Sequence, residues 1–111
     1  MNNETMFRDI IGTSPESKIL EYFVEWHGVP CTQKDLIENT KTSQIKTSQI
    51  VKRFELLKII KKDKKHNNAQ TYIFNDKNII SQIVRNLFAA INIDSINKLE
   101  ELEEFENNEK L

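Results

Sequence analysis

The spacing of apolar residues changes once in the middle of this chain, and that change fixes what the middle can fold into. Beginning at Ser43, the residues Ile50, Val51, Phe54 and Leu57 fall within about 80° of Thr47 on a helix that advances about 100° per residue. That spacing predicts a helix over about 44–58, capped by Ser43. The runs Ile59-Ile60-Lys61-Lys62-Asp63-Lys64 and Gln70-Thr71-Tyr72-Ile73-Phe74-Asn75 follow directly, on either side of the polar turn Lys65-His66-Asn67-Asn68-Ala69. Two β-rich runs around an asparagine turn predict a hairpin. A helix that leads straight into a short hairpin excludes a pure bundle and a large sheet.

The rest of the chain reads as helices. Only two glycines and two prolines occur in 111 residues, too few for the tight turns of an all-β sandwich. Met6, Phe7, Ile10 and Ile11 make a short amphipathic stretch that ends at Gly12. Ser14, Pro15 and Glu16 restart the chain as cap, first helical residue and first-turn acid. The expected buried face of that helix is Ile19, Leu20, Phe23, Trp26 and His27, and Gly28-Val29-Pro30 stops it. Thr32 is placed to cap a helix over 33–39 that buries Leu36 and Ile37. Asn75 or Asp76 is expected to cap a helix over about 77–91. Its apolar residues Ile79, Ile80, Ile83, Val84, Leu87, Phe88 and Ile91 cover half the circumference, more than one neighbouring surface needs. Asp94-Ser95 opens a last segment whose Ile96, Leu99, Leu102 and Phe105 drift about 60° per step, so no coiled coil is expected. The division is a terminal arm over 1–14, a central domain over 15–75 and C-terminal helices over 76–111.

Charge narrows the function classes. The net charge of −1 conceals a basic middle, with nine basic and two acidic side chains over 41–66, between ends that carry −4 (1–40) and −5 (94–111). Such focus points to a polyanion partner, or else to a lysine-rich solvated face. Two histidines, one cysteine and no glycine-rich phosphate loop leave no catalytic set, so an enzyme is not expected. No cofactor is expected either. His27 and Cys31 are four apart, but Gly28 and Pro30 break the helix that would align them on a metal, and none is expected. A lone cysteine, no apolar run near 18 residues and no basic-apolar leader suggest a cytoplasmic protein with no membrane span.

One repeat stands out. Lys41-Thr42-Ser43-Gln44-Ile45 is followed at once by Lys46-Thr47-Ser48-Gln49-Ile50. A five-residue shift turns a helix by about 140°, so the copies cannot share a role. Ile50 is expected inside and Ile45 outside.

Helix, short helix, turn, helix and basic hairpin follow one another in the order of a winged helix-turn-helix. The segment Asp35 to Ile60, DLIENTKTSQIKTSQIVKRFELLKII, resembles that family without a gap. It carries the D-L-x-E-x-T opening, the serine cap of the second helix and an I-V-K-R-F-E-x-L-x-I-I close into the wing. Upstream, Phe7 to Phe23, FRDIIGTSPESKILEYF, is similar to the lead-in of small archaeal winged-helix regulators of the MarR/ArsR-like superfamily. The resemblance covers about residues 7–91. Lys41 stands where glycine is usual and Thr42 where an aliphatic is usual, while lysines and Asn67-Asn68 replace the common arginines and glycine of the wing.

The resemblance implies a mainly α fold with a small β-hairpin wing, an archaeal host and a transcriptional regulator, in the repressor role, that binds double-stranded DNA. Helix 44–58 would enter the major groove, with Ser43, Gln44, Ile45, Ser48 and Gln49 at or near base edges and Lys46, Lys52 and Arg53 on phosphates or guanine. Wing 61–70 would place Lys62, Lys64, Lys65, His66, Asn67 and Asn68 along the backbone or minor groove. A homodimer is expected through Met6, Phe7, Ile10, Ile80, Val84, Leu87, Phe88 and Ile91. A further protein partner could use the acidic C-terminal end. The competing reading is a winged-helix protein-interaction module of a replication, partition or transcription complex, with Ile45, Leu56 and the acidic end as its contact surface.

Overall fold

Ser14 starts the first long helix by accepting a hydrogen bond from the Ser17 amide at 3.1 Å, with Pro15 in the first turn, where no amide is required. In this computed structural model, which describes residues 9–93, a helical turn over 9–11 precedes it and is ended by Gly12 at φ 98°. Helix α1 is Pro15–Glu25 and buries Ile19, Phe23 and Val24. It ends two residues before the expected face does. Trp26 is its C-cap, turned out of helical phase at φ −108°, and so stands 52% exposed against Tyr22 instead of buried. His27 is half-buried, with Nδ1 2.9 Å from the Val24 carbonyl oxygen.

Helix α2, Gln33–Thr40, opens on a reciprocal cap. The Asp35 amide donates to Thr32 Oγ1 at 3.1 Å and the Thr32 amide to Asp35 Oδ2 at 2.9 Å. Leu36 is buried and Ile37 only half-buried; Thr40 is the second buried residue of this helix. Its hydroxyl donates to the Leu36 carbonyl at 2.6 Å and lies 2.9 Å from Thr42 Oγ1. Lys41 takes the left-handed conformation, φ 57° and ψ 33°, at the position where glycine is usual. An unbranched side chain tolerates that region at a modest cost.

Helix α3 is Gln44–Leu56, capped by Ser43, whose Oγ accepts from the Lys46 amide at 3.2 Å. It stops short of the expected Lys58. The Lys58 amide donates to Glu55 O (3.0 Å) and the Ile59 amide to Phe54 O (3.0 Å), while Lys58 sits at φ 61°. That is a Schellman ending with lysine in the left-handed place. It turns Leu57 away from the core, and Leu57 is 55% exposed.

The hairpin pairs β1 (Ile60–Lys62) with β2 (Tyr72–Phe74) antiparallel, with Ile60 opposite Phe74 and Lys62 opposite Tyr72. Cys31 adds a single bridge on the other edge of β2, its amide donating to Tyr72 O at 2.9 Å and accepting at its carbonyl from the Tyr72 amide at 2.8 Å. Beyond the strands the runs stay joined by single backbone bonds, the Asp63 amide donating to Thr71 O at 2.9 Å and the Asn75 amide to Ile59 O at 2.8 Å, and by side chains. Gln70 Nε2 donates to the carbonyls of Asp63 and Thr71, and Thr71 Oγ1 to that of Lys64. The tip is closed by Asn67 and Asn68, at φ 50° and 66°, between the paired His66 and Ala69. Two consecutive positive φ values suit the right-handed twist of the arms, and asparagine adopts them most readily after glycine.

Helix α4 spans 79–93 and begins at Asn78 rather than at Asn75 or Asp76. Asn78 Oδ1 accepts from the Ile80 amide at 2.8 Å. Asn75 is occupied elsewhere, holding Lys58 O through Nδ2 (2.9 Å) and Ile59 O through its amide (2.8 Å). Asp76 pairs with Arg85 at 3.1 Å. Ser81, fully buried, donates to Ile59 O at 3.1 Å and so docks α4 on the entrance to the hairpin. One core therefore joins Ile19, Phe23, Leu36, Ile50, Val51, Ile60, Phe74, Phe88 and Ile91.

Candidate nucleic-acid interface

Helix α3 packs Thr47, Ile50 and Val51 inward, and this decides which residues its other side presents. Gln44, Ile45, Ser48, Gln49 and Lys52 are all exposed and together line one open depression. Ile45 is 74% exposed, whereas Ile50, one repeat later, is fully buried. Ser43 is spent on the amide of Lys46 and stands at the start of the same face. Five side chains that can meet base edges or phosphates thus share a surface held rigidly from behind.

Lys46 and Arg53 lie to one side of that face, and each has a partner. Lys46 Nζ is 2.9 Å and Arg53 Nη2 is 3.2 Å from the same oxygen, Oε1 of Glu16 in the first turn of α1. The Lys46 ammonium leads the influences that hold the Glu16 carboxyl below the usual carboxylate range. Nothing in the spacing of the sequence announces this contact, in which Arg53 and Glu16 lie 37 positions apart.

The wing is joined to α3 through Lys62, whose Nζ lies 3.9 Å from Glu55 Oε1. Lys64, Lys65, His66, Asn67 and Asn68 are exposed beyond it. The backbone at the tip is set by the two asparagines, so the lysines and His66 ride on a defined turn instead of a loose loop. His66 and Asn67 also face Thr32–Asp35 across a shallow groove at the start of α2.

The residues expected at a dimer interface separate into two groups. Phe88 and Ile91 are each only 5% exposed and belong to the core of the chain itself, where they are not available to a second copy; Val84 is half-buried against them. Ile10, Ile80 and Leu87 are exposed, and Ile79, Ile83 and Ile93 extend the uncovered apolar side of α4. Advancing 100° per residue puts the buried set on one side of α4 and the exposed set beside it. Met6, Phe7, the expected segment from Asp94 onward and the acidic end lie outside the described residues.

Among the described residues no group of three or more His, Cys, Asp or Glu side chains could hold a metal. Cys31 is buried, and burial, followed by the nearby Asp35 charge, pushes its thiol up to about 12. A thiol of that kind stays protonated and is a poor redox sensor. No helix among the described residues is long and apolar enough to cross a membrane.

No protein-family model matches the sequence, and no curated protein matches it. Solved structures do. MepR, a transcription regulator of the Staphylococcus aureus multidrug efflux pump MepA, superposes with a TM-score of 0.65 over 97% of this chain and 84% of that one, at 14% identity. A variant of S. aureus MepR bound to an oligodeoxyribonucleotide gives 0.64 over 97% and 82%, at 16% identity. Wild-type ZitR of Lactococcus lactis in complex with DNA gives 0.58 over 84% and 67%, at 16% identity. ZitR is described as a zinc-responsive MarR family member. The chain has the winged-helix fold of these regulators. At such identities the likeness extends to backbone architecture, and which side chains act is a matter for the residues themselves.

Proposed function

We propose that the protein is a cytoplasmic, sequence-specific regulator of transcription that binds double-stranded DNA as a homodimer and acts as a repressor. The observation that carries this reading is the outward face of α3, where Gln44, Ile45, Ser48, Gln49 and Lys52 stand together on a capped helix anchored from behind. A helix of this diameter fits the major groove. Gln44 and Gln49 offer the paired donor and acceptor that adenine presents to a side-chain amide, and Ile45 offers an apolar contact to a thymine methyl. Lys52 and the wing residues Lys62, Lys64, Lys65, His66, Asn67 and Asn68 supply contacts to the backbone or minor groove, which set affinity and its dependence on salt. Two of the superposed regulators carry DNA, which supports the same use of the fold.

The homodimer is supported by the apolar side of α4. Ile79, Ile80, Ile83 and Leu87 are left exposed among the described residues, and a two-fold arrangement of copies would set two α3 helices about one DNA turn apart. Sedimentation equilibrium should find a dimer, and Ile83→Asp should give a folded monomer; a monomeric parent protein would contradict this part. The resemblance over residues 7–91 supports an archaeal host.

Joint substitution of Gln49 and Lys52 by alanine tests the DNA reading. Each good base contact is worth about 1–3 kcal/mol, so duplex binding should fall at least tenfold with the fold intact. The protein-interaction reading draws on Ile45 and on Leu56, which is 75% exposed. On that reading the double variant would retain its partner, and duplex binding would be absent from the parent protein too.

A further inference from the structure

The charges around α3 do not add up to a simple basic face. Glu16 places one carboxylate oxygen 2.9 Å from Lys46 Nζ and 3.2 Å from Arg53 Nη2, so a single acid engages both cations on that flank. The base of the wing shows a looser counterpart, with Glu55 and Lys62 3.9 Å apart. None of the three groups at Glu16 is buried: the side chains are 35%, 39% and 57% exposed for Glu16, Lys46 and Arg53. Ion pairs so open to water restrain their members weakly. The fold does not need this contact for stability, since α1 and α3 are already joined through Ile19, Phe23, Ile50 and Val51.

A DNA phosphate carries the same kind of acceptor oxygens as a carboxylate and seeks the same two donors. If α3 meets a duplex as argued above, on which this inference rests, the backbone beside α3 and the Glu16 carboxylate compete for Lys46 and Arg53. We propose that Glu16 is an intramolecular competitor of the DNA backbone, engaging Lys46 and Arg53 in the free protein and surrendering them to a bound duplex at a cost in affinity. The consequence is a discount on every backbone contact at this flank, borne equally by cognate and non-cognate DNA. Cognate DNA recovers it through Gln44, Gln49 and their neighbours. Non-cognate DNA has nothing else to offer, so its occupancy falls at a given protein concentration, while the ratio of the two affinities stays as it was. The carboxylate is ionised in the neutral range like any exposed glutamate, and the neighbouring cations, Lys46 first, favour that form further.

The test is Glu16→Gln, which keeps the side-chain length and removes the charge, measured by fluorescence anisotropy on a shuffled duplex over a salt series. The expected result is tighter binding by about fivefold, the ceiling for a surface ion pair. The plot of log K against log salt should also steepen by about one unit, for the extra phosphate contact. In a Lys46→Gln/Arg53→Gln background the same substitution should change neither quantity. A purely structural role would alter the melting temperature and leave the salt slope alone. Unchanged or weaker binding by Glu16→Gln, or an effect that persists without Lys46 and Arg53, would overturn the proposal. Absence of duplex binding by the parent protein, even at low salt, would instead overturn the DNA reading beneath it.

Discussion

The two copies of Lys-Thr-Ser-Gln-Ile lie end to end and part in role at their lysines, serines and isoleucines, while both threonines are buried and both glutamines exposed. In the first, Lys41 is the left-handed residue between helices, Thr42 is buried beside Thr40, Ser43 caps α3, and Gln44 and Ile45 face outward. In the second, Lys46 reaches Glu16, Thr47 is buried within α3, Ser48 and Gln49 are exposed, and Ile50 sits in the core. Five residues equal about 1.4 helical turns, a rotation of about 140° that carries Ile45 outward and Ile50 inward. The two isoleucines therefore do opposite things, and the position along the helix decides which.

Matched substitutions in the two copies break the comparison open. The largest contrast is between the isoleucines. Ile50→Ala should cost about 2–5 kcal/mol by chemical denaturation, because it empties a fully packed site. Ile45→Ala should cost no more than about 0.5 kcal/mol and should register instead in DNA affinity. The threonines should differ in sign. Thr47 Oγ1 is buried with no hydrogen-bond partner among the described residues, so Thr47→Val should stabilise by about 1 kcal/mol, as an unsatisfied hydroxyl is removed. Thr42→Val should destabilise by a similar amount, about 1 kcal/mol, since it breaks the contact to Thr40 Oγ1.

The serines give a contrast of about 1 kcal/mol: Ser43→Ala loses the cap of α3, while Ser48→Ala leaves stability unchanged. The lysines should again differ in sign. Lys41→Gly should relieve a left-handed residue and gain up to about 1 kcal/mol, whereas Lys46→Gly, inside the helix, should lose about as much. Equal effects within any of these pairs would show that the two copies are not distinguished as described.

The repeat also marks how far the sequence can be read. Caps at Ser14, Thr32 and Ser43, the asparagine turn and the inward and outward faces of α3 follow from local rules that act within a few residues. So does the strain at Lys41, visible as a lysine where glycine is usual. What escaped reading depends on contacts distant in sequence. Half the circumference of α4 is apolar, but whether Phe88 and Ile91 or Ile79 and Ile83 turn to the core depends on where Ser81 finds Ile59 O, 22 residues earlier. Trp26 belongs to the apolar period of α1, yet the helix ends before it. Glu16 reads locally as a good first-turn acid, and its hold on Lys46 and Arg53 appears only when α1 and α3 cross.

The central claim is that α3 recognises a DNA sequence. Its most direct test is fluorescence anisotropy of the full chain with the duplex upstream of its own gene and with a shuffled duplex of the same composition, each across a salt series. The account predicts tighter binding to the native duplex at physiological salt, by at least about 1,000-fold for a true operator, with a steep salt dependence on both. Failure to bind either duplex, even at low salt, would contradict it.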